Sequence, residues 1–252
     1  MCAGCCGRST TSAPVPSVSA AAQRINTMAH DIQGMLDAKR GLLLALSHEL
    51  RSPLTRARLN AELLPATPEG AAERAALLRD LAEMRDLISD LLESERLASP
   101  HAALQREPVD FAALVCEVAL EHPEGGCIAL DLAAELPAFP MDRSRLRLLV
   151  RNLLDNALRH GADAAQPPRV LLRRGVLGVE LEVRDFGPGV DPAQLAHLTE
   201  PFYRTDGARQ RSTGGVGLGM YLCRLVAEAH GGTLAVRNAE PGLAVSVVLP
   251  VA

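Results

Sequence analysis

The segment RNLLDNALRHG, residues 151–161, decides how the C-terminal half of this 252-residue chain folds. Its apolar spacing places it on a helix expected over residues 142–160. Asn152 and Asn156 are four apart, so both amides fall on one face of that helix, with Arg159 and His160 near its end. Amide oxygens on one face can complete the shell of a Mg²⁺ that holds a nucleotide triphosphate, and an arginine beside them can hold phosphate oxygens. The plainer alternative is that these polar residues only face solvent. Around this helix the sequence predicts strands at 128–132, 170–173, 179–184, 234–237 and 244–249, and further helices at 111–121, 192–198 and 217–230. That mixture suggests an α/β sandwich with helices on one face of a mixed sheet.

Two glycine-bearing segments lie C-terminal to it. In RDFGPGV (184–190), Asp185 stands at a strand end before Gly187 and Gly189, a carboxylate acceptor beside a sharp turn that suits the exocyclic amine of adenine. In TGGVGLGMYL (213–222), Gly215, Gly217 and Gly219 alternate just before a helix, so backbone N–H groups can approach phosphate there. No Gly-Lys-Ser/Thr follows, which excludes a P-loop. Residues 200–216 between ordered elements read as a mobile loop containing Phe202, Tyr203 and Arg204.

The N-terminal part has a different grammar. Ile25, Met28, Ile32, Met35, Leu36, Leu42, Leu43 and Leu46 recur at helical spacing from about Ala20, and the pattern runs to about Leu64 despite Pro53. After the turn PATPEG a second helix is expected over 71–97, giving an antiparallel hairpin whose apolar stripe is closed by a second copy into a four-helix bundle. The first helix carries SHELRSPL (47–54): His48 is followed by Glu49, which can hold the imidazole in one tautomer, and by Arg51, placed to meet an anion. Residues 1–19, with C-x-x-C-C at Cys2, Cys5 and Cys6 and prolines at 14 and 16, read as a disordered leader. Cys116, Cys127 and Cys223 read as small buried hydrophobes.

Composition narrows the function classes. Hydrophobic residues are 48% of the chain but aromatics only 2%, so the core is aliphatic; the net charge of −4 argues against a dedicated nucleic-acid binder. No apolar run reaches the roughly 18 residues of a membrane span, and the start has no secretory pattern.

His-Glu in a helical hairpin, then Asn-x₃-Asn, Asp-x-Gly-x-Gly and a glycine-rich string, in this order from about Ala20 to Pro250, resembles the sensor histidine kinases of two-component signalling. The resemblance implies an α+β chain: leader 1–19, linker signalling helix 20–40, dimerisation and phosphoacceptor domain 41–100, and a catalytic ATP-binding domain 101–252 of the histidine-kinase/gyrase/Hsp90 type. It implies that His48 attacks the γ-phosphate of ATP with Glu49 as general base, and that Asn156, supported by Asn152, binds Mg²⁺. Arg159 and Arg204 would contact phosphate, and His160 would lie against adenine or ribose. Asp185 would take the adenine amine, with Gly187 and Gly189 shaping its pocket and Gly215, Gly217 and Gly219 letting a lid close. Ser52 stands where relatives with strong phosphatase activity carry Thr or Asn, and Val216 where Thr is frequent. The implied partners are a second copy and a response regulator, in the cytoplasm, either as part of a membrane receptor or as a soluble variant. A nucleotide-gated scaffold without phosphotransfer, and a protein used mainly as a phosphatase, are the alternatives.

Overall fold

A computed structural model describes residues 18–64, 70–97, 104–133, 135–162, 164–205 and 217–251. The leader up to residue 17, including its three cysteines, and residues 206–216 of the expected loop lie outside the described residues. Two helices open the chain, α1 (Val18–Leu63) and α2 (Ala71–Leu97). Helix α1 therefore starts inside the stretch read as leader and continues through Pro53.

By internal contacts the chain divides into two units, 1–46 and 47–252. In the first, α1 presents Met28, Ile32 and Met35 to solvent. The second contains the rest of α1, all of α2 and the α/β region. At the hairpin, Arg74 donates from Nε to the Ala61 carbonyl (2.8 Å) and from Nη2 to the Glu62 carbonyl. Those carbonyls belong to the last turn of α1, where the helix has no N–H of its own to offer.

The α/β region runs β1 (Glu107–Val109), α3 (Phe111–Glu121), β2 (Ala129–Leu132), β3 (Phe139–Met141), α4 (Arg143–His160), β4 (Arg169–Arg174), β5 (Val179–Arg184), α5 (Pro192–Leu195), α6 (Gly219–Ala229), β6 (Thr233–Asn238) and β7 (Leu243–Leu249). Five strands form one sheet in the order β2-β4-β5-β7-β6, with β2 parallel to β4 and the other pairs antiparallel. Burial alternates along β5, and Val179, Leu181 and Val183 share a core with Val245, Val247 and Leu249. The same core takes Leu149, Leu153 and Leu154 from α4 and Leu222 and Val226 from α6. Glu182 points elsewhere, its Oε2 accepting from Arg237 and from the Ser246 hydroxyl, both at 2.9 Å.

Strands β1 and β3 pair antiparallel in a separate two-stranded sheet. Three residues each, with a central proline, leave too short a pattern to read. Their role is to deliver Asp142, the N-cap of α4. Its Oδ1 accepts from the Arg145 N–H (3.1 Å) and the Ser144 hydroxyl (2.7 Å), and its Oδ2 from the Gln105 N–H (3.0 Å). The Asp142 N–H donates to Nε2 of buried His230 (3.1 Å), whose Nδ1 donates to the Val226 carbonyl (2.8 Å). One histidine thus ties the end of α6 to the start of α4, and burial holds its pKa below the ordinary histidine value.

Helix α2 joins the α/β region at its C-terminal end. Leu92, Ser94 and Leu97 are buried, α2 packs on α6, and Glu93 lies 4.0 Å from Nε of Arg145. Of the three inner cysteines only Cys223 is buried, its thiol pushed up by desolvation. Cys116 is half-buried and Cys127 is exposed, against the sequence reading, because Cys127 ends a three-residue 3₁₀ turn at the surface.

Candidate active site

Helix α4 sets the floor of a cleft of about 870 Å³. Its buried side, Leu149, Leu153, Leu154 and Ala157, sits in the core, and Asn152, Asn156 and His160, at i, i+4 and i+8, line the cleft. Arg159 lines it too, as do Asp185, Gly189, Arg204, Gly217 and Gly219. Nine of the residues singled out in the sequence therefore meet around one space.

Asp185 is buried at the end of β5, and its environment divides its two oxygens. Oδ1 accepts from the Gly187 N–H (2.9 Å) and the Leu243 N–H (3.2 Å). Oδ2 has no hydrogen bond among the described residues, which leaves it as an acceptor for a donor entering the cleft. Gly187 is not in the cleft wall; it is needed because a Cβ there would stand 2.2 Å from the His160 carbonyl oxygen. The turn after β5 can thus pass under the end of α4 only without a side chain. Gly217, at φ +81°, is held as tightly: a Cβ would meet the Tyr203 carbonyl at 2.4 Å, and its own carbonyl accepts from the Phe202 N–H (3.0 Å). Phe202 itself has φ +63° and is exposed, an uncommon conformation for an aromatic residue.

Asn152 lies against Gly219, where a Cβ would stand 3.1 Å from Oδ1, and its buried Nδ2 has no partner among the described residues. A buried amide donor left unpaired is what an acceptor atom of a polar ligand would complete. Asn152 and Asn156 offer hard amide oxygens, the donor type that Mg²⁺ takes beside water and phosphate, so the residues present fit that ion. Gly215 lies outside the described residues.

Helix α2 also lines the cleft, with Arg79, Ala82, Asp86 and Asp90 at spacings of three and four. Burial raises the Asp90 carboxyl to about 6; Arg151 opposes the rise, and Asp86 and Asp155 add to it. Glu49 and Ser52 are exposed on α1 and do not line the cleft. His48 lies on the same helix, with its ring outside the described residues.

Sequence reasoning passed over Asp155 and His122. Both line the cleft, and His122 Nε2 is 3.0 Å from Asp155 Oδ1. Asp155 stood in plain view between the two asparagines, on the same helical wall. His122, 33 positions away, carried no local signal.

Residues 38–100 match the His Kinase A (phospho-acceptor) domain, and residues 141–252 match the Histidine kinase-, DNA gyrase B-, and HSP90-like ATPase family. Among characterised proteins, Sensor protein RstB of Escherichia coli is 32% identical over 86% of this chain and 50% of its own length. Sensor histidine kinase GtrS of Pseudomonas aeruginosa is 35% identical over 91% of this chain and 46% of its own. The chain thus spans about half the length of the curated relatives it matches. Among solved structures, full-length ShkA in complex with AMPPNP superimposes with a TM-score of 0.71 at 30% identity, over 83% of this chain and 45% of that one.

Proposed function

The chain belongs to the sensor histidine kinases of two-component systems, and from that premise we propose that it phosphorylates His48 from ATP and passes the phosphoryl group to an aspartate of a response regulator. The observation that carries the reading is Asp185. A buried carboxylate with one oxygen engaged by two backbone amides and the other open to a cleft lined by two asparagines suits an adenine amine at one end and a triphosphate at the other.

In this reading the Asp185 Oδ2 accepts from the adenine amine, and His160 lies against adenine or ribose. Asn156 and Asn152 hold Mg²⁺, which when bound neutralises part of the triphosphate charge. Arg159 and Arg204 contact phosphate oxygens, with Gly215, Gly217 and Gly219 allowing the backbone to close over them. Phosphoryl transfer needs chiefly a positioned nucleophile in line with the leaving group. A ring nitrogen of His48 forms the new P–N bond as the bond from the γ-phosphorus to the bridging oxygen breaks. ADP leaves with that oxygen, and Glu49 takes the imidazole proton. Ser52, four residues on, would orient water for the reverse task of dephosphorylating the regulator.

We assign residues 41–100 to the dimerisation and phosphoacceptor domain, 101–252 to the ATP-binding domain, 20–40 to a signalling helix and 1–19 to a leader. The dimer would cover hairpin residues such as Leu50 and Met84, and the regulator would dock near Arg56, Leu59 and the second helix, with Arg56 and Leu59 exposed on α1. Incubation with Mg²⁺ and γ-labelled ATP tests the core of the reading. Acid-labile, alkali-stable label is expected on the parent protein and none on His48→Gln. Equal label on the variant would refute the assignment of His48.

A further inference from the structure

We propose that His122 and Asp155 form a positioning pair that sets how tightly the cleft holds the divalent cation accompanying the nucleotide. The inference rests on the nucleotide reading above and adds a residue to the cation's surroundings.

Hydrogen bonding assigns the imidazole tautomer. The Glu124 N–H donates to His122 Nδ1 at 3.1 Å, so Nδ1 is the acceptor and the ring hydrogen sits on Nε2. Nε2 then donates to Asp155 Oδ1 at 3.0 Å. His122 ends helix α3, where its own N–H bonds the Ala119 carbonyl, so the ring is anchored at both backbone and side chain. Its side chain is only 19% exposed, against 38% for Asp155. One oxygen of Asp155 is thereby fixed. The other makes no hydrogen bond among the described residues, and the carboxylate lines the cleft next to Asn156 and one turn from Asn152.

Asp155 is the only carboxylate that α4 itself contributes to the cleft. The two asparagines are neutral, and a magnesium ion bound through amides and phosphates keeps several waters whose hydrogens need acceptors. A carboxylate held at a fixed angle beside those amides supplies one. Groups that orient ligands and bound water around a metal commonly matter about ten-fold or more to its affinity. The histidine matters only through the aspartate, because it aims the carboxylate and touches neither cation nor nucleotide.

The test measures metal and nucleotide separately on the full chain. Mn²⁺ binding is followed by electron paramagnetic resonance with saturating AMPPNP, and AMPPNP binding by calorimetry in EDTA. Asp155→Asn is expected to weaken Mn²⁺ roughly ten-fold while leaving metal-free AMPPNP binding within about two-fold. His122→Gln, whose amide can still donate to Asp155, is expected to stay near the parent. His122→Leu is expected to fall between the parent and Asp155→Asn. Unchanged Mn²⁺ affinity in Asp155→Asn would overturn the proposal. So would equal losses with and without metal, the mark of a purely structural tie between α3 and α4. Failure of the parent to bind AMPPNP in either condition would instead bring down the nucleotide reading, and this inference with it.

Discussion

The helical hairpin and the α/β region are both built from aliphatic residues, and they treat those residues in opposite ways. In the α/β region Leu149, Leu153 and Leu222 are shut off from water by the sheet and by one another. On the hairpin Leu50, Leu59 and Met84 stay about half exposed within a single chain. A core that closes within one polypeptide derives its stability from folding alone. A stripe left open on a helix pair would gain it from the association proposed above. The contrast also divides the chemistry: the cleft is assembled from one chain's own elements, whereas the helix bearing His48 has an unfinished surface.

The largest effect expected from breaking this contrast is in the core. Leu149→Ala removes fully buried side-chain volume between α4 and α6, and urea unfolding should register a loss of about 2–5 kcal/mol. Next comes the cleft. Asp185→Asn keeps an oxygen for the two backbone amides but turns an NH₂ toward the adenine amine. Calorimetry should show nucleotide affinity falling by about 1.5–3 kcal/mol with little change in melting temperature.

The seam between the two regions gives a smaller, pH-dependent effect. Asp90 on α2 faces Asp86 on its own helix, Arg151 and Asp155 on α4, and Cys223 on α6. Its carboxyl rises from 3.8 unfolded to about 6 folded, so the folded state binds the proton more tightly. The resulting stability is fully present below pH 3.8 and lost as pH rises through about 6. Asp90→Asn should therefore raise the melting temperature at pH 7.5, with the gain shrinking toward zero by pH 4. His230 works in the other direction: its lowered pKa makes it a source of stability above pH 6.5 that fades as the solution is acidified. Comparing variant with parent at each pH removes that contribution. The smallest intrachain effect is expected on the hairpin. Leu50→Ser should change unfolding free energy by no more than about 0.5 kcal/mol, while sedimentation velocity should show the proposed dimer dissociating at a higher protein concentration.

Much of this was legible because the signals are local. Periodicity alone placed α2 at Ala71–Leu97 and α3 at Phe111–Glu121, and β5 came out at the expected 179–184. The glycines could be read because a turn's backbone needs are written within a few residues, as at Gly187 and Gly217. Strands β1 and β3 were not legible, since each is three residues long and owes its existence to the other. The short helix α5 stopped at Leu195, well before the 198 that the pattern suggested. The pairing of His122 with Asp155 was hidden for a related reason. It depends on how α3 packs on α4, a fact of the core and not of any window of sequence. Asp90 reads as one more polar residue on an amphipathic helix, and only the fold turns it toward Arg151.

Arg74 gives the hairpin a mechanical property. Its planar guanidinium grips two successive carbonyls at the end of α1, and a fork on two adjacent points resists torsion as well as tension. Rotation of the last turn of α1 about its axis would therefore strain both hydrogen bonds at once and pull on the first turn of α2 through Arg74.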